Sequence, residues 1–265
     1  MIISRKYKFA FIHNPKCAGT SIRSALAEYH DHPETFWHQC RYNGRVHDMA
    51  HVPFKDLSLD LQQELSQPDM FVFGFIRNPY ERFWSSLHEF RRQHGDWNVA
   101  NLSADDLLCT VLSDQLIRED WRFVHFCPQW AFFGAEPTNK SLSNQFLGAY
   151  EAFHTAWKVV SSHLSVLSDG EIPVEIPLNN SRHRAEPQIE PLSARALEKL
   201  KYLYVSDFGL FNYQMWDSAP DTSMSTAKYT THWQRVEAIH SNQKPVDIED
   251  YLTVGEEVAY KEIWK

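Results

Sequence analysis

Two stretches of the chain pass from consecutive apolar residues, across a short polar loop, into helical spacing. In the first, YKFAFI (Tyr7–Ile12) predicts a strand, and Ile22, Ala25 and Leu26 recur at helical intervals within Thr20–Tyr29. In the second, MFVFGFI (Met70–Ile76) is apolar throughout, the pattern of a strand covered on both faces of a parallel sheet. RNPYERFWSSLHEFRR follows, with Pro79 suited to a first helical turn and Phe83, Leu87 and Phe90 along one side. Each stretch is a strand-loop-helix unit. Between them, HVPFKDLSLDLQQELSQPD predicts a short turn or helix. Downstream, Ala104–Asp120, Asn144–Leu167 and Leu192–Tyr204 predict helix, with an extended piece at IPVEIPL. Strands interleaved with helices predict an α/β fold of three layers, a central, mainly parallel sheet flanked by helices. Small polar residues and Pro220 after Asp217 predict a boundary, giving a main domain over 1–216 and a C-terminal appendage over 217–265.

Composition narrows the partners. A formal net charge of -8 gives no general polyanion-binding surface, which disfavours nucleic acid. No apolar run approaches the roughly 20 residues of a membrane span. The opening MIISRKYKFAFIHNP is too short in its apolar part for a signal peptide, so the chain reads as cytoplasmic. Cys17, Cys40, Cys109 and Cys127 lack both CxxC spacing and the density of a disulfide scaffold, and free thiols are expected.

The loop PKCAGTS ends a strand and opens a helix, so unpaired amides and the positive end of the helix dipole converge there. Such a place takes phosphate or sulfate. Gly19 permits close approach, Thr20 and Ser21 can cap the helix and donate to anion oxygens, and Lys16 brings a mobile positive charge. The spacing differs from G-x-x-x-x-G-K-[ST]: the lysine precedes the only glycine, and no obvious magnesium-binding acid follows a later strand. A nucleotide-hydrolysing loop is therefore a poor fit. In the second unit Arg77 leaves the strand just before Pro79, and Ser85 lies about two helical turns further on. A guanidinium fork and a hydroxyl suit a phosphate. Two such sites at neighbouring strand ends imply a ligand with phosphates at two places.

FIHNPKCAGTSI and FGFIRNPYERFWSSL together resemble the two cofactor motifs of sulfotransferases that use 3'-phosphoadenosine 5'-phosphosulfate (PAPS), especially the carbohydrate sulfotransferase group, family 2 type. Weaker likeness runs through HFCPQWAFF, NQFLGAYEAF, LNNSRHR and YVSDFGLFNY, so that it spans residues 7 to 213. The resemblance implies a P-loop-like fold and transfer of a sulfuryl group to an acceptor hydroxyl of a carbohydrate. It implies that the loop of Lys16, Cys17, Ala18, Gly19, Thr20 and Ser21 holds the 5'-phosphosulfate, while Arg77 and Ser85 hold the 3'-phosphate. Ser181, Arg182 and Arg184 would come near the adenine and 3'-phosphate. Cys17 stands where the family usually has Thr, which weakens hydroxyl contacts there. Lys16 would stabilise charge on the bridging oxygen of the departing phosphate, with no metal required.

The family commonly takes the acceptor proton with a His or Glu between the motifs, and VHDMAHVPFKDL offers His47 and His51, of which His51 is favoured. His13 is expected to orient the loop. Glu81 and Arg82 are open between surface ion pairing and ligand contact, and Trp84, Trp97, Trp130 and Trp157 could stack on a sugar face, with core packing the default for each. HDMAH also imitates the H-E-x-x-H zinc helix, but Pro53 disfavours helix at Val52, so no metal is expected. The alternatives are a nucleotide-dependent kinase or hydrolase on the same fold, or a non-catalytic nucleotide-binding module.

Overall fold

The computed structural model describes residues 1–33, 36, 38–42, 45–134, 145–173 and 189–215, with Tyr42 and residues 232–234 by backbone only. Five strands form one sheet in the order β1-β2-β5-β6-β7. They are β1 (Ile2–Ser4), β2 (Phe9–Ile12), β5 (Phe71–Ile76), β6 (Gln145–Ala149) and β7 (His232–Gln234). β2, β5 and β6 run parallel, Phe9 against Phe71 and Val72 against Gln145, while β1 and β7 close the edges antiparallel. A hairpin, β3 (Gln39–Tyr42) and β4 (Arg45–Asp48), stands apart. The fold class is therefore the α/β architecture expected, with a central, mostly parallel sheet.

Alternation along the central strands sends side chains into two cores. Phe9, Phe11, Phe71, Phe73 and Phe75 meet Ile22 and Leu26 of α1 (Gly19–Leu26) and Ala156, Trp157, Val160 and Leu164 of α7 (Phe153–Leu167). Ala10, Ile12, Val72 and Ile76 face the opposite core. That core takes Leu61 and Leu65 of α2 (Leu59–Leu65), Phe83 and Leu87 of α3 (Pro79–His94), and Leu197 and Leu200 of α8 (Ala194–Leu203). Shorter helices α4 (Ala104–Asp106), α5 (Asp114–Glu119), α6 (Trp130–Phe133) and α9 (Val205–Leu210) complete the described chain. All six residues of β5 are buried, as its unbroken apolar run requires.

Asn144–Leu167 departs from expectation: its first part is strand β6, and helix begins only at Phe153. QFLGA is too short for its period to separate strand from buried helix. A Cβ at Gly148 would lie 2.7 Å from Phe75 and 2.8 Å from Ala156, so this strand lies against β5 and α7 only because position 148 lacks a side chain. Ala104–Asp120 is likewise broken, helical through a π-turn at Leu107–Val111 and restarting at Asp114. IPVEIPL lies almost wholly outside the described residues, as does nearly all of 217–265. All four cysteines are free thiols. Among the described residues no helix is long and apolar enough to cross a membrane.

Candidate active site

The parallel strands β2, β5 and β6 end on the same edge of the sheet, and the residues after each converge there. After β2, Lys16 and Ala18 both take left-handed backbone, φ 67° and 64°. L residues are rare in that region, at a cost of roughly 1–2 kcal/mol each. Left-handed residues interleaved with others turn successive amides into a concave nest suited to an anion. Ala18 is the N-cap of α1 without a side-chain hydrogen bond, so Thr20 and Ser21 are not the caps expected of them. They occupy the first turn, half-buried.

Gly19 has a second reason to be glycine. A Cβ there would sit 1.7 Å from Nε2 of His13, whose buried ring stacks on Phe11 and Phe36. The ring fills the space over Gly19 that a side chain there would need. Cys17 is turned inward: it is 1% exposed, Asn14 Nδ2 donates to its sulfur at 3.3 Å, and burial pushes its thiol up to about 12. Its side chain therefore faces the core.

Arg77, the first residue after β5, is held by all three strand ends. Its Nη1 donates to the Lys16 carbonyl at 3.5 Å, its guanidinium lies 4.4 Å over the ring of Tyr150 beyond β6, and Glu81 Oε2 accepts from Nη2 at 3.3 Å. Ser85 is half-buried in the second turn of α3. Ser181, Arg182 and Arg184 lie outside the described residues.

Gln129 knits the two motifs together. Its Oε1 accepts from Arg77 N at 2.8 Å and Asn14 Nδ2 at 3.0 Å, while its Nε2 donates to Arg77 O at 2.8 Å. Asp207, fully buried on α9, accepts from the amides of Gln129 and Trp130 at 2.9 and 3.0 Å.

Helix α3 turns a polar stripe inward at Arg82, Ser86 and Glu89, spaced i, i+4, i+7. Arg82 is not at the surface: it is 0% exposed, donating to the carbonyls of His125 at 3.0 Å and Cys127 at 2.7 Å, so it serves structure and not ligand contact. Ser86 Oγ donates to the same His125 carbonyl at 2.7 Å. Glu89 accepts from Lys16 Nζ at 3.0 Å and is paired with Arg92. Burial acts to raise the Glu89 carboxyl, but Lys16 and Arg92 outweigh it and hold the group well below the usual carboxylate range.

The same anchoring puts His125 beside His51, ring centroids 5.1 Å apart. His51 ends a short turn after β4; its Nδ1 lies 3.1 Å from the His13 carbonyl and its ring 4.2 Å from that of His13. A carbonyl only accepts, so Nδ1 carries the proton and Nε2 keeps a lone pair. Burial lowers the affinity of His51 for a proton, the Asp48 charge partly opposing it, and burial lowers His125 further. His47 is half-buried on β4, paired with Cys40 of β3. His47, Asp48 and His51 line a cleft with Arg45, Lys55, Trp121 and Trp130.

Sequence reasoning missed Asp48, Glu89, His125, Gln129 and Tyr150. HFCPQ contains both His125 and Gln129, whereas Glu89 stands mid-helix among other charged residues and nothing in the sequence marks it as buried. Against known proteins, residues 1–214 match the model described as the sulfotransferase family. The chain belongs to that family, so it is a transferase that moves a sulfuryl group. No curated protein and no solved structure matches it.

Proposed function

We propose that this protein transfers the sulfuryl group of 3'-phosphoadenosine 5'-phosphosulfate to a hydroxyl of a carbohydrate. The observation that carries this reading is the junction of the two anion motifs: Lys16 and Arg77 leave adjacent parallel strands, with Arg77 Nη1 on the Lys16 carbonyl at 3.5 Å. A donor with phosphates at both ends needs two anchors at fixed separation. The nest around Lys16 to Ser21 takes the 5'-phosphosulfate, and Arg77 with Ser85 takes the 3'-phosphate. The cleft beside His51 admits the acceptor, its tryptophans Trp121 and Trp130 offering apolar faces to a sugar ring.

In the reaction the acceptor oxygen bonds to sulfur as the bond from sulfur to the bridging phosphate oxygen breaks. His51 takes the hydroxyl proton on Nε2, and 3',5'-adenosine bisphosphate leaves. Lys16, resting on Glu89 without donor, exchanges that carboxylate for the bridging oxygen and stabilises the charge that grows there.

Sulfate transfer from radiolabelled PAPS to a panel of saccharides tests the reading. Lys16→Ala is expected to lower kcat by about 100-fold or more. His51→Asn is expected to lower it by about 100-fold or more while leaving binding of 3',5'-adenosine bisphosphate intact. Full turnover in Lys16→Ala would sink the assignment, and full turnover in His51→Asn would move the base to His47.

A further inference from the structure

We infer that Asp48, His51 and His125 form a binding site for a zinc-class divalent cation. One donor atom from each of these buried residues lies within 4.8 Å of the other two. A tetrahedral zinc centre holds its donors about 3.4 Å apart, so no pair has to close by more than about 1.4 Å, within reach of side-chain rotation.

The surroundings are those of a metal site. A ligating imidazole ordinarily donates its other ring N–H to a carbonyl or carboxylate, and His51 Nδ1 does so to the His13 carbonyl at 3.1 Å, presenting Nε2. Asp48 spends Oδ1 on the Ala50 amide at 2.9 Å, which fixes the carboxylate and leaves Oδ2 for a cation. The backbone of His125 is fixed by Arg82 and Ser86. Two imidazoles and one carboxylate favour zinc-class ions over magnesium or calcium, which need oxygen-rich shells. The nearby positive charge of Lys16 is met by Glu89 at 3.0 Å and does not stand against an incoming cation alone. Asp48 and His51 line the cleft, which gives an entry path and room for water in the fourth position. HDMAH therefore contributes to a metal site, though not as a zinc helix: the partners of His51 are Asp48 and, across the fold, His125.

Binding does not depend on the proposed function. One consequence does rest on that reading: an ion on Nε2 of His51 and proton acceptance by the same atom exclude each other, so Zn2+ would inhibit transfer.

The full chain, stripped with a chelator, is titrated with Co2+ by visible absorption and with Zn2+ in competition against a chromogenic chelator. One ion per chain is expected, with the intense bands of low-coordinate Co2+, displaced by Zn2+. Asp48→Asn and His125→Gln should each weaken binding by more than about 100-fold, whereas His88→Gln, at an exposed histidine, should leave it unchanged. No saturable binding by the wild-type chain, or binding retained in both Asp48→Asn and His125→Gln, overturns the inference. X-ray absorption of the zinc-loaded wild type needs no variant: a shell with two imidazoles is expected, and sulfur or all-oxygen ligation overturns it. These signals read the site whether or not the chain transfers sulfate.

Discussion

Arg82 is a buried tie between α3 and the segment that carries His125. Its guanidinium, 0% exposed, spans the carbonyls of His125 and Cys127 and lies 5.2 Å from the ring of Tyr204. A lysine is a point charge on a flexible stem and cannot bridge two carbonyls as a planar fork does. Arg82→Lys should therefore cost about 2–3 kcal/mol, measured as a fall in urea midpoint at unchanged slope. A loss under about 0.5 kcal/mol would mean that water replaces the lost donor. From the sequence, Arg82 follows Glu81 in a helix of charged residues and nothing marks it as buried. Lys16 and Arg77 were legible because each stands where a strand becomes a helix, a place with its own sequence signature. Whether a mid-helix charge faces in or out depends on what packs against it.

At the scale of elements, the two strand-loop-helix units are coupled by a third segment that the pattern did not connect with them. Gln129 pairs with both backbone polar groups of Arg77 and with Asn14, and is itself anchored by Asp207 of α9. Gln129→Ala leaves the half-buried Arg77 amide and carbonyl without these partners, a loss of about 2 kcal/mol. If the clamp also sets the separation of the two proposed anion sites, the same variant should bind 3',5'-adenosine bisphosphate at least about 10-fold more weakly by calorimetry. Lowered stability with unchanged affinity would make Gln129 a packing residue only. β2, β5, α1 and α3 were legible because they carry either an unbroken apolar run or sustained helical spacing. β6 was not, since five residues hold too little period, and the hairpin of β3 and β4 was not, since QCRY and RVHD mix polar and apolar residues.

Over the whole molecule, the three-layer fold could be read from apolar runs, but the chemistry around Lys16 could not, because Glu89 and His125 reach it from α3 and the segment after α5. Burial of histidine recurs beyond the site and makes stability depend on pH. His30, 9% exposed, ties β1 to the end of the first helical region, its Nδ1 lying 3.1 Å from the Ile3 carbonyl, and burial lowers it to about 4. His13, His51 and His125 are lowered by burial in the same direction. A folded pKa below the unfolded value of 6.5 means that the unfolded chain binds more protons as pH falls. The stability is therefore fully present above about pH 6.5 and is lost as pH falls toward the folded pKa. For His30 alone the shift from 6.5 to about 4 corresponds to about 3 kcal/mol across that window. Asp48, Glu151 and Asp207, which burial raises, work in the opposite sense and soften the fall in acid. The Lys16–Glu89 pair persists through the window, because Glu89 is held well below it. With chelator present, the melting temperature should be flat between pH 7 and 8 and drop steadily between about pH 6.5 and 5. His30→Asn should flatten part of that slope, since an amide can accept from the Ile3 and His32 N–H groups and donate to the Ile3 carbonyl without titrating. A melting temperature that held or rose on acidification would mean that the carboxylates and not the histidines govern the acid response.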